Sequence, residues 1–172
     1  MDKTTGMIKG VFDLISDKTT SAMTSELQKY LKEVKYPSRT ISRGEMAKDL
    51  QDLCTRLSKV NKQIIESTQI QVVKVLYRHL EGKMERKDIM RLFDGLDLLI
   101  ESKIETTRKQ FAKEFLPNFI QPRKTKILLT NFGEQLIKVN KRELNLVSEK
   151  LVNFIKQNQI EVSAFLRDII NF

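Results

Sequence analysis

The sequence predicts an all-α protein, a bundle of about six to seven amphipathic helices, and three observations carry that expectation. Six Gly and three Pro in 172 residues are too few for a sandwich or barrel, whose short strands need a turn every ~8 to 12 residues. Hydrophobic residues make up 40% and charged residues 31%, enough apolar content for one folded domain over 1–172. Apolar positions recur at spacings of three and four through most of the chain.

The first element, over about 5–16, sets Met7, Ile8, Val11, Phe12 and Ile15 on one helical face, and Asp17, Lys18, Thr19 and Thr20 interrupt it. Its polar face, with Lys3, Lys9, Asp13 and Asp17, mixes both signs, which favours core packing over a membrane surface. A second helix over about 21–35 carries Met23, Leu27, Tyr30, Leu31 and Val34, and Pro37 stops it. Ser42 followed by Glu45 is a capping box, with Ile41 and Met46 at the two staple positions, so a helix starts at Arg43. Met46, Leu50, Leu53, Leu57, Val60 and Ile64 then repeat as a seam suited to neighbouring helices or to a second copy of the chain.

Near Ser67 and Thr68 the phase shifts, and Val72, Leu76 and Leu80 continue on another face. This predicts either a kinked long central helix or a new helix, ended by Gly82. From 86 to about 115 runs a stripe of Ile89, Leu92, Phe93, Leu96, Leu99 and Ile100, which thins past Ile104, so that the helix end projects beyond the core. Pro117 and Pro122 bracket a connector, placed at 117–126 as a sub-lobe boundary, with Arg123, Lys124 and Lys126 on its far side. A helix with Leu128, Leu129, Phe132, Leu136 and Val139 follows. Asn140 and Glu143 then give a second N-terminal signature, stapled by Val139 and Leu144. The last helix runs on through Leu166 and Ile169, with Asn158 as either a cap or a polar seam residue.

Counting removes much chemistry. One His and one Cys leave little for zinc or for a base-activated nucleophile, and both His79 and Cys54 read as packed boundary or core residues. No Gly spacing matches a phosphate-cradling loop. No catalytic residue, metal or cofactor is expected. A lone cysteine, the lack of an apolar leader and the absence of a long aliphatic run predict a cytoplasmic, reducing location without a transmembrane segment.

Charge is the informative quantity. The formal net charge is +9, and 103–142 holds ten basic and three acidic residues, hence +7 of it. Arg108, Lys109, Lys113, Arg123, Lys124 and Lys126 are therefore the candidate docking patch. Phe111, Phe115 and Phe119 lie within it, at a spacing that suits buried packing at least as well as base stacking. Asp94, Asp97, Glu101 and Glu105 form a nearly pure acidic stripe, either solvated or facing a basic partner or the chain's own connector. Glu45, Asp49 and Asp52 form a shorter one, answered by Arg56 at i, i+4 from Asp52.

Over 143–171, Leu146, Leu151, Phe154, Ile160, Val162, Ser163, Phe165, Leu166 and Asp168 stand in relative positions similar to a helical segment of the organic solute carrier partner family, and Gly44-Glu45-Met46 resembles a tripeptide near the start of its members. The resemblance covers under a fifth of the chain. It implies a eukaryotic, cytoplasmic, non-enzymatic protein associated with cilia and organic-anion uptake. The two helix-start signals, the bundle-like seam and the lack of a catalytic constellation make the expected function a non-enzymatic helical adaptor or complex subunit that docks an acidic protein surface through its basic connector and projecting helix. A nucleic-acid accessory protein held by phosphate contacts is the first alternative, and a peripheral membrane-surface protein using the first helix is the second.

Overall fold

The computed structural model describes residues 3–34, 38–80 and 82–156, and among these residues the chain forms four long helices and one two-residue strand pair. The order is α1 (Lys3–Glu33), β1 (Ile41–Ser42), α2 (Arg43–His79), α3 (Arg86–Phe115), β2 (Phe119–Ile120) and α4 (Pro122–Lys156). Neighbours in sequence run antiparallel. α1 packs along α2 and α4, α2 along α3, and the α3–α4 seam is the lighter one. At one end β1 pairs antiparallel with β2, Ile41 opposite Ile120 and Ser42 opposite Phe119, tying the α1–α2 link to the α3–α4 link.

The all-α expectation holds, but the six to seven expected helices reduce to four among the described residues because polar residues read as breaks lie inside continuous helices. Thr19 is buried in mid-α1, and its hydroxyl donates to the Ile15 carbonyl at 2.8 Å, so the Asp17–Thr20 interruption costs no helix. Thr68 bonds the Ile64 carbonyl in the same way at 2.9 Å, and α2 runs unbroken through Ser67. Asn140 is not a cap. It is fully buried in α4, and its amide donates across the bundle to Thr19 Oγ1 at 2.8 Å, while Val139 and Leu144 join the core rather than staple a helix start. Asn158 and Pro37 lie outside the described residues.

The start of α2 is as read. The Glu45 amide donates to Ser42 Oγ at 3.2 Å, and Ile41 and Met46 are both buried. The Glu45 carboxylate turns outward to Arg39 instead of back to the cap. Gly82 follows the end of α2 with φ 78°, a conformation that a Cβ disfavours. α4 starts at Pro122, where a missing N–H costs nothing, so Arg123, Lys124 and Lys126 belong to its first turns and the connector shortens to the residues between α3 and α4.

The core runs the length of the bundle. Phe12 of α1 stacks on Phe93 of α3, centroids 6.0 Å apart, and Met23, Leu57, Leu96 and Phe132 are fully enclosed. Each such side chain contributes about 1.5–3 kcal/mol. Of the seam over 46–64, Met46, Leu50, Leu53 and Leu57 are buried within the single chain, while Val60 and Ile64 are half-buried. The face of the first segment is also spent: Ile8, Phe12 and Ile15 are core residues and not a free membrane-binding surface. Arg56 does not pair with Asp52. It reaches α1, bonding Glu33 at 2.7 Å and lying 5.2 Å from the centroid of the Tyr30 ring.

Candidate functional site

The strand-pair end of the bundle collects the features that a docking surface needs. The N-termini of α2 and α4 and the C-termini of α1 and α3 meet at this end, so the helix dipoles largely offset one another and its charge is set by side chains. α4 carries no acid in its first turn, where an acid would be favourable, and has Arg123 and Lys124 instead, both exposed. The backbone there is firmly held: the Arg43 amide donates to the Asn118 carbonyl at 2.9 Å, the Lys124 amide to that of Gln121 at 2.9 Å, and the Arg43 guanidinium to that of Ala112.

Between the end of α3 and the start of α4 lies an open cleft of about 610 Å³. Leu116 and Ile120, both buried, belong to its lining, together with Phe115, Phe119, Arg123 and Lys124. Phe119 is 72% exposed, Phe115 52% and the nearby α4 residue Ile127 59%, a large apolar outlay for one end of a helical bundle. Phe115 also borders a second, smaller cleft of about 290 Å³ on the α3–α4 face with Leu128, Gln135 and Lys138, so its ring forms the ridge between the two.

The three phenylalanines, whose spacing suits buried packing at least as well as base stacking, therefore separate. Phe111 alone is core, 3% exposed, its ring 5.0 Å from Phe132 and 5.1 Å from Phe115. Its burial against α4 also means that the end of α3 does not project past the core as expected. The sequence carried one signal for exposed Phe119, its bracketing by Pro117 and Pro122, which denies that segment a helix and leaves it a short, solvent-facing link, and none for Phe115 at the end of α3.

The predicted basic patch divides as well. Arg123 and Lys124 line the cleft; Lys126, Lys109 and Lys113 are exposed but do not line it. Arg108 belongs elsewhere. Its guanidinium pairs with Glu105 on its own helix and sits near the Cys54 thiol on the α2 side of α3. The hydrogen bond from Arg108 holds the Glu105 carboxyl below its usual range, despite some desolvation. The acidic stripe thus takes partners from α3 itself and from α2, with Gln69 donating to Asp94 at 3.4 Å, and not from the connector.

Among the described residues no group of three His, Cys, Asp or Glu side chains could hold a metal ion. Cys54 is buried, and its thiol is pushed up to about 12, chiefly by desolvation and further by Glu105, so it is protonated and unreactive at neutral pH. His79 ends α2 half-buried, apart from any such cluster. No helix among the described residues is long and apolar enough to cross a membrane. No protein family, curated protein or solved structure matches the chain. Of the residues similar to the organic solute carrier partner family, Gly44, Glu45 and Met46 lie at the start of α2, Leu146, Leu151 and Phe154 lie on α4, and the remainder lie outside the described residues.

Proposed function

We propose that the protein is a non-catalytic interaction module of the cell interior whose strand-pair end docks an acidic, amphipathic segment of another protein. The observation that carries this reading is the coincidence of exposed Phe119 and Phe115 with Arg123 and Lys124 around one cleft. Apolar anchors of a partner would enter the cleft over Leu116 and Ile120, and its carboxylates would face Arg123, Lys124 and the more peripheral Lys126 and Lys113. Interfaces gain most of their affinity from a few buried aromatic and Arg contacts, and charge complementarity adds orientation and association rate. The non-enzymatic character implied by the resemblance is compatible with this role.

A fluorescence-anisotropy titration of a labelled helical peptide built from Glu and Leu tests the reading. Phe119→Ala should weaken binding by roughly tenfold, the ~1.4 kcal/mol of one partly buried aromatic contact. Loss of Arg123 and Lys124 charge should weaken binding and flatten its salt dependence. Binding indifferent to all three changes would place the interface elsewhere.

Single-stranded nucleic acid is the second reading, favoured specifically by the two exposed rings beside basic residues, since bases stack on such rings at about 1–3 kcal/mol each. The concave apolar lining suits an aliphatic or aromatic side chain better than a planar stack. An unlabelled oligonucleotide that competes with the peptide at low salt and loses affinity in Phe119→Ala would reverse that preference.

A further inference from the structure

The apolar surface does not end at the strand pair. The larger cleft adjoins the smaller one on the α3–α4 face, and two residues line both, Phe115 from α3 and Leu128 from α4. They form a neck between two hollows. The α4 wall of the first hollow runs from Arg123 to Leu128 and that of the second from Leu128 to Lys138. The midpoints of those walls are about 7.5 residues apart, which is about 11 Å along the helix.

The neck is a fixed step. Phe115 is half-exposed, yet its ring rests on that of Phe111, centroids 5.1 Å apart, and buried Phe111 is in turn 5.0 Å from Phe132 of α4. Leu128 packs against the core from the other side. Charge separates the two hollows. The first sets Arg123 and Lys124 against Glu114, whereas the second balances Lys138 with Glu134, so an acidic residue of a partner is favoured at the first only.

The spacing selects the backbone of the occupant. In an extended segment, side chains about 10 Å apart are three residues apart and point to opposite faces, so one strand cannot fill both hollows. On a helix, residues i and i+4 are only about 6 Å apart, whereas i and i+7 are about 10.5 Å apart on nearly the same face. We propose that the two hollows take one α-helix of a partner protein, with large apolar anchors at i and i+7, small residues at i+3 and i+4 over the Phe115 step, and an acidic residue beside the anchor in the larger hollow. This assignment rests on the docking role proposed above and adds the selectivity: Phe115 turns away helices that carry a large side chain at the neck.

Fluorescence anisotropy on the full chain with three labelled helical peptides of Glu and Ala tests it. The first carries leucines at i and i+7, the second at i and i+4, and the third at i, i+4 and i+7. The parent chain should bind the first more tightly than either of the others, by roughly fivefold or more. Phe115→Ala removes the step, and the third peptide should then bind at least as tightly as the first. Phe115→Leu keeps an apolar contact to Phe111 and should narrow the gap, so it serves if far-UV circular dichroism shows the alanine variant misfolded. Equal binding of all three peptides, each weakened by Phe119→Ala, would overturn the helix spacing and leave the docking role standing, as would an unchanged order of affinities in both Phe115 variants. Absence of binding by all three, or self-association of the chain that Phe115→Ala abolishes, would overturn the docking role as well.

Discussion

Gly133 lies in mid-α4, where glycine costs a helix about 1 kcal/mol relative to alanine. Its place is explained by the approach of α1. A Cβ at position 133 would lie 2.4 Å from Leu27 Cδ1 and 2.8 Å from Leu27 Cδ2, far inside the ~3.5–4 Å of a carbon–carbon contact. Leu27 is 5% exposed and has little room to retreat. Gly133→Ala therefore gains about 1 kcal/mol of helix propensity and loses about 1–3 kcal/mol to overpacking. We expect net destabilisation of roughly 1 kcal/mol, a fall in Tm of about 2–4 °C for a chain of this size. Urea unfolding followed by far-UV circular dichroism measures it. In a Leu27→Ala background the obstructing side chain is gone, and the same Gly133→Ala change should become stabilising by about 1 kcal/mol. The reversal of sign is the decisive quantity: if Gly133→Ala stabilises the parent chain and the Leu27→Ala chain equally, the close α1–α4 approach is refuted.

Other perturbations probe separate parts of the account. Ser42→Ala removes the acceptor of the Glu45 amide and should cost about 1 kcal/mol in urea unfolding, with Ser42→Gly costing only a few tenths. Asn61→Leu removes a buried amide whose carbonyl has no partner, so it should raise stability by about 1 kcal/mol; a loss of stability would mean that the amide is satisfied in solution. Cys54 should react with an aromatic disulfide reagent at pH 8 only as fast as the protein unfolds, and instantly in denaturant. Because its folded thiol is raised from 9.0 to about 12, its contribution to stability is complete below pH 9 and is lost as the pH rises towards 12. The unfolding free energy of the parent chain should accordingly fall relative to that of Cys54→Ala across that window, and parallel curves would contradict the burial of the thiol.

What the sequence made legible was local. The capping box at Ser42 and Glu45 uses atoms three residues apart, and the Met46–Leu57 seam repeats within one helix, so both are written in adjacent residues. Asn140 with Glu143 shows the limit of that kind of reading. The same Asn-x-x-Glu spacing serves a helix start or a buried amide, and the choice is made by Thr19, 121 residues away. Thr19 was misread as a break for the matching reason: its hydroxyl satisfies itself on its own helix, an option that composition does not reveal. At the candidate site, the basic run and the bracketing prolines pointed to the strand-pair end. Spacing alone did not separate Phe111, which meets Phe132, from Phe115 and Phe119, which meet solvent, nor Arg108, which turns to Glu105, from Arg123 and Lys124.

The central claim concerns the chemistry of the strand-pair end, and a peptide-display selection on the full chain reads that chemistry directly. Peptides selected on the parent chain and depleted on a Phe119→Asp, Arg123→Glu, Lys124→Glu variant should be rich in Asp and Glu interleaved with Leu, Ile or Phe at helical spacing. Selected peptides with no acidic enrichment, or with equal retention on the variant, would contradict the assignment of that end as the docking surface.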